Sequence, residues 1–216
     1  MKSDFSLLAG VMLCLTSNLS FATPMMFTFD GVVTGATGIL ASKFAGGESL
    51  KGQYVLETST PDTFAISLIA GVYEDPVTFF KAIIGEHIIG MGTDSRLTVL
   101  TDDGSGAYET DKYELQINNP EHASLSSAML FTEFFTLDLR DSSKNAFSTD
   151  VMPLQLQSSS FDSRDWALEL NGGTVFGVIQ NISAVSVSVP EPTSVLLATI
   201  GLAAMTLISY RTIART

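Results

Sequence analysis

The sequence predicts an all-β fold, an antiparallel sandwich or jelly-roll-like body, and three observations predict it. Short runs rich in Val, Ile, Phe, Tyr and Thr recur through the middle of the chain and alternate apolar with polar side chains. Clusters of Gly, Asn, Asp and Ser separate the runs every 8 to 15 residues or so, the rhythm of a sandwich or barrel. No stretch carries three turns of amphipathic helix.

The runs come in order. Met25–Val33 (MMFTFDGVV) alternates around Phe27 and Phe29, and Leu50–Leu56 follows the turn GGES. Thr60, with Pro61 and Asp62 behind it, opens one short helix at most. Phe79–Ile84 precedes His87–Ile89, and Arg96–Thr101 and Lys112–Ile117 flank the hairpin-like connection DDGSGAYETD. Ala128–Leu139 stops at DSSKN. Trp166–Leu170 meets Thr174–Ile182 across Asn171-Gly172-Gly173, and the last run extends through Ala184–Val189, where valines alternate with serines. Residues 23–188 therefore form one domain of ordinary size, with no internal repeat.

Both ends read as addresses. Residues 1–22 have the parts of a secretory signal: Lys2, the apolar run Phe5–Leu15, and Ser20-Phe21-Ala22 ahead of a signal peptidase site between Ala22 and Thr23. That apolar run spans only ~16 Å as helix, short of a ~30 Å bilayer core. Residues 193–210 carry no formal charge and span ~27 Å as helix, enough to cross. Arg211 and Arg215 follow in the short basic tail 211–216, which keeps that end cytoplasmic and the body outside the inner membrane. Pro190 and Pro192 fix φ and push the residues before them out of helical space, so residues 189–192 form an extended, cuttable strip ahead of the helix.

The triplet Pro190, Glu191, Pro192, the uncharged run and the terminal arginines together resemble the PEP-CTERM sorting signal of Gram-negative bacteria. The resemblance covers Val189–Thr216, with two separated arginines where the family carries a compact basic cluster. It implies processing by exosortase, transient single-pass anchoring in the inner membrane, and delivery to the cell surface or an extracellular matrix with exopolysaccharide. The body also resembles a recurrent PEP-CTERM ectodomain, through Phe27-Thr28-Phe29-Asp30-Gly31, Gly47–Tyr54, Asp111–Tyr113, Leu137-Asp138-Leu139-Arg140-Asp141, and Met152-Pro153-Leu154 leading to Phe161. That second resemblance implies a sandwich fold and no mechanism.

Charge and cysteine count exclude whole classes of function. Of 23 acidic and 11 basic residues, all but two of the acids and only eight of the bases lie in the body, a net charge of about −13, which repels nucleic acid and anionic lipid. The one cysteine, Cys14, falls in the leader, so the body has no disulfide framework and no thiol chemistry. Nucleophilic catalysis needs a base beside the nucleophile, and only His87 and His122 are available. His87, inside IIGEHIIG, reads as a strand or sheet-edge histidine, and His122 as a solvated loop residue. With Glu86 or Glu121 they match no zinc spacing. Asp102, Asp103, Glu109 and Asp111 cluster carboxylates in one loop and are the one calcium candidate, although a hairpin loop kept soluble by acids accounts for the same residues. Glu133 and Asp138, five residues apart in one strand, face opposite sides, so one of them is on the wet face and they make no hydrolytic pair.

The resulting expectation is a non-enzymatic exported protein with no cofactor that works through its surface. A carbohydrate-binding module of the same matrix is the alternative, for which exposed Trp or Tyr platforms are expected and Trp166 is the only tryptophan. A secreted esterase or glycosidase comes third.

Overall fold

The computed structural model describes residues 24–67, 69–101, 110–121 and 132–186. They form ten strands: β1 (Met25–Ala36), β2 (Ser49–Leu56), β3 (Ala70–Glu74), β4 (Val77–Ile84), β5 (His87–Ile89), β6 (Asp94–Leu100), β7 (Asp111–Asn118), β8 (Thr132–Asp141), β9 (Ser163–Leu170) and β10 (Gly173–Ser186). Every pairing is antiparallel, in one sheet of order β3-β6-β7-β8-β9-β10-β1-β2-β4-β5. The all-β antiparallel architecture is as the alternation predicts. The halves that face each other belong to one continuous sheet, in which β3 with β6, β10 with β1 and β2 with β4 are the neighbours out of chain order.

A flat sheet of this order is impossible. β3 and β4 sit eight places apart, ~38 Å at the usual strand spacing, yet the chain passes from Glu74 to Val77 in three steps, ~11 Å at most. The sheet must curl until its ends meet. Because all pairs are antiparallel, β3 and β4 run in the same sense, as do β5 and β6. Residues 70–100 are thus one long hairpin, bent in the middle, whose near half joins β7 and whose far half joins β2. Strands that turn a corner between packed layers do so through such bends.

The bend is tied by side chains. Asp75 adopts φ 53°, a left-handed conformation that Asp tolerates better than most residues. Its amide donates to the Ser95 carbonyl at 2.7 Å, its carboxylate accepts from the Ser95 amide at 2.9 Å, and the buried Ser95 hydroxyl accepts from the Val77 amide at 3.2 Å. Pro76 brings no amide to satisfy, and its carbonyl accepts from Glu57 at 2.7 Å. No helix opens at Thr60. The Asp62 carboxylate accepts instead from the amides of Phe64 (2.8 Å) and Val72 (2.9 Å), a local bond pattern that holds a turn against β3.

The interior is aromatic. Phe27 stacks on Tyr54 with centroids 4.9 Å apart, and Phe135 of β8 meets Phe80 of β4 at 4.9 Å and Phe29 of β1 at 6.1 Å across the core. Phe29 lies directly opposite Gly52, where a Cβ would fall 2.1 Å from its ring, so the glycine makes room for the aromatic. Trp166 is 2% exposed and donates its indole N–H to the Val32 carbonyl at 3.3 Å. At one pole the β1–β2 connection inserts Leu40 and Phe44; at the other the long β8–β9 connection inserts Met152, Leu156 and Phe161. Among the described residues no helix is long and apolar enough to cross a membrane. The expected signal peptide, residues 1–22, and the expected membrane span, residues 193–210, lie outside the described residues.

One polar contact bridges the two halves inside this core. The hydroxyls of Tyr54 (β2) and Tyr113 (β7) bond to each other at 2.8 Å, both fully buried, and burial pushes both phenols well above their usual range, so neither carries charge. Removing one hydroxyl strands the other. Tyr54→Phe and Tyr113→Phe should each cost about 1–3 kcal/mol in urea unfolding, and the double variant should lose little more than either single one. Additive losses would mean that the pair contributes nothing as a pair.

Candidate functional site

Alternation sends half of each strand outward, and the register turns those residues into rows that cross the sheet. On the outer face of β10, β1, β2 and β4 one row reads Ser183, Thr28, Gln53, Lys81, and the next reads Asn181, Asp30, Lys51, Ile83. Beside them the β1–β10 ladder bulges. Asp30 pairs with Asn181 but Gly31 pairs with Ile179, which leaves Gln180 as the extra residue. A Cβ at Gly31 would sit 2.4 Å from the Val178 carbonyl, so the close approach that forms the bulge requires glycine there. The result is an open trough of about 430 Å³ lined by Thr28, Asp30, Ser49, Lys51, Gln180 and Asn181, among others.

Its groups are pre-positioned. The Asn181 amide donates to both Asp30 oxygens at 3.1 and 3.2 Å, and the hydroxyls of Thr28 and Ser183 lie 3.1 Å apart. Among the described residues, neither Lys51 nor Lys81 enters an ion pair, on a body that is otherwise strongly acidic. Carboxylate, carboxamide, hydroxyl and ammonium groups within a few strand spacings can donate to and accept from a hydroxyl-rich ligand. They provide no nucleophile held by a base.

The acids singled out by sequence have different duties. Asp111 is fully buried and its Oδ2 accepts from the Phe147 amide at 2.9 Å. Beside it, in register on β8, Asp141 is 5% exposed and spends both oxygens on the loop that follows it. It accepts from the Ser143 amide and hydroxyl (2.8 and 2.6 Å) and from the amides of Asn145 (2.7 Å) and Ala146 (2.9 Å). Burial works to raise its carboxyl, but these bonds outweigh it and hold the group below the usual carboxylate range. Asp102, Asp103 and Glu109, the other calcium candidates, lie outside the described residues. So do Ala22, Thr23, Pro190, Glu191, Pro192, Arg211 and Arg215.

His87 starts the edge strand β5 and packs on Phe44 with centroids 4.8 Å apart, as a sheet-edge histidine should. Glu86 is exposed, the Glu121 carbonyl accepts from Gly90 at 2.6 Å, and His122 lies outside the described residues. Glu133 and Asp138 depart from the expectation that they face opposite sides. A register shift between Thr132 and Phe134 swings Glu133 outward as well. Asp138 instead anchors a charge cluster with Arg140 (2.6 Å) and Lys112 (3.6 Å). Trp166 faces the core and offers no platform. Sequence reasoning missed Asn181, Lys51 and Asp141 as positioned groups. The DSSKN turn carried the signal for Asp141, whereas the pairing of Asp30 with Asn181 joins the two ends of the domain and has no local signal.

Asp141 gives a pH-dependent prediction. Its folded pKa is the depressed one, so its stabilisation is complete above the unfolded value of ~3.9 and is lost as pH falls through the folded value. Asp141→Asn should cost about 1–3 kcal/mol at neutral pH, and the gap to the parent should close in acid when both are unfolded by urea across pH.

No family model matches the chain, no curated protein matches it, and no solved structure matches it.

Proposed function

We propose that the chain is an exported cell-envelope or extracellular-matrix protein, non-enzymatic in its body, whose tail is a PEP-CTERM-type sorting signal for exosortase. The observation that carries this reading is the tripartite end: Pro190-Glu191-Pro192, an uncharged run long enough to span a bilayer, then Arg211 and Arg215. The position of the chain ends supports it. Met25 pairs with Ser186, so leader and tail depart side by side from one pole. A cut between Ala22 and Thr23 falls two residues ahead of the β1 ladder, and Pro190 lies four residues beyond the β10 ladder. Both cuts therefore leave intact every sheet hydrogen bond among the described residues. A domain processed at both ends needs this arrangement if it folds before release.

The chain made in a Gram-negative host that carries exosortase should yield an exported form that begins at Thr23 and ends near residues 190–192 by mass spectrometry. Replacing the triplet by alanines should leave the tail attached and the protein in the membrane fraction. Full-mass chain in the cytosol with both ends intact would overturn the reading.

The trough beside Asp30 favours a second reading within the first, a saccharide-binding matrix module. On a polysaccharide array, Asp30→Ala and Asn181→Ala should each weaken binding about 10-fold or more, the usual worth of hydrogen bonds to a charged or paired group. Absence of binding by the parent protein removes this reading and leaves the sorting reading in place.

A further inference from the structure

Next to the two polar rows, on the same outer face, the register assembles a third. Val185, Met26, Val55 and Phe79 stand directly opposite one another across β10, β1, β2 and β4. All four are apolar. Val185 is 48% exposed and Phe79 41%, with Met26 and Val55 partly covered between them. Together they make an apolar ridge ~14 Å across, three strand spacings wide. Leu154, 53% exposed, shares a cleft with Met25 and Ala184 and extends the apolar surface past the strand ends. The equivalent outer surface of β7, β8 and β9 carries Glu114, Asp138 and Asp165 in one row.

The ridge is the last outward row before these strands end, and the chain leaves the described body one residue after Val185. Six residues, 187–192, separate that exit from the uncharged run 193–210. Fully extended, they reach ~20 Å. Whatever holds the run is thus within reach of the ridge. Four side chains alone would bind a bilayer only marginally, as a single short acyl chain does, but a second attachment raises the effective concentration enough to matter. Lys81, in the adjacent row and without an ion pair among the described residues, has a stem long enough to lie along such a surface with its ammonium in water. The net charge of the body disfavours anionic lipid, leaving a zwitterionic surface as the compatible one.

We infer that, while the tail is attached, the body rests its Val185–Met26–Val55–Phe79 ridge on the outer surface of the bilayer that holds the tail. This inference rests on the reading of residues 193–210 as a membrane span. Docking of this kind holds residues 189–192 at the lipid surface in a fixed orientation, and cleavage there frees the ridge together with the protein.

The test uses the full chain with Cys14→Ser in phosphatidylcholine vesicles, carrying an environment-sensitive fluorophore on one cysteine at a time. Phe79→Cys reports on the ridge, Thr136→Cys on the opposite outer face, and Ala204→Cys on the tail run. The expected result is blue-shifted emission at 79 and 204, quenched severalfold more by brominated acyl chains than emission at 136. A tail probe in lipid with a water-like probe at 79 overturns the ridge contact and leaves the sorting reading standing. Water-like emission at both 79 and 204 overturns both. A blue shift at 79 that ignores brominated lipid means that the ridge is covered by the chain's own tail or, if it grows with protein concentration, by a second copy. Either result overturns the lipid contact.

Discussion

The fold depends on the bend in the hairpin of residues 70–100. Without it, β3 and β6 would extend one edge of an open sheet and β4 and β5 the other. With it, the two ends are covalently joined within a few residues and the sheet has to enclose a core. The bend also manages the edges. β3 has five residues and β5 three, and short edge strands are poor templates for pairing with another chain. The bridge from Asp62 to Tyr73 covers part of the outer side of β3. Two side chains, Asp75 and Ser95, tie the corner, and each satisfies a backbone group that the bend would otherwise orphan.

Curling sets the chemistry of the interior. Two halves of a sheet packed face to face stand ~10 Å apart, a gap that large side chains fill efficiently. Phe27, Phe29, Tyr54, Phe80, Phe135 and Trp166 fill it, and the polar atoms they bring are matched in pairs: hydroxyl to hydroxyl for the tyrosines, indole to the Val32 carbonyl for Trp166. Buried carboxylates follow the same rule. Asp111 and Asp141 lie side by side where the sheet ends, each aimed at backbone amides of the connection that closes this pole. Their acidity is used to hold a loop. The 21-residue connection can therefore insert Met152, Leu156 and Phe161 into the core with a single 3-10 turn, Ser158–Ser160, as its only regular structure.

Most of the strands were legible because their alternation is strong. β7 buries Asp111, Tyr113, Leu115 and Ile117 and leaves the residues between them half-buried on the other face, a pattern no helix can imitate. β3 was not legible. Ala-Gly-Val-Tyr-Glu is short and contains a glycine, and it becomes a strand only because Asp62 and β6 provide partners from elsewhere in the chain. The turn at Thr60 went the same way: local cap chemistry allowed one short helix at most, and the Asp62 carboxylate instead found the amide of Val72. Bulges were the third blind spot. One at Glu133 turned that residue to the same outer side as Asp138, and one at Gln180 built the trough. Neither leaves a signature, since each exists only relative to a partner strand. The trough pairs residue 30 with residue 181, and no local pattern could have revealed it.

The curled sheet also divides the surface in two. The outer side of β7, β8 and β9 is a lattice of charge, in which Lys112, Glu114, Asp138 and Arg140 compensate one another. Such partly exposed pairs add little stability, but they keep that side hydrated and disinclined to associate. The outer side of β10, β1, β2 and β4 has neither property. Its lysines enter no ion pair among the described residues, its ladder is indented, and its last row is apolar. Both ends of the described body lie at the pole that borders this row, so the side least suited to bulk water lies nearest to them. A protein freely tumbling throughout its life gains nothing from that coincidence. A protein tethered by one end and released later does, because the tether aims its associating side and leaves its hydrated side toward the solvent.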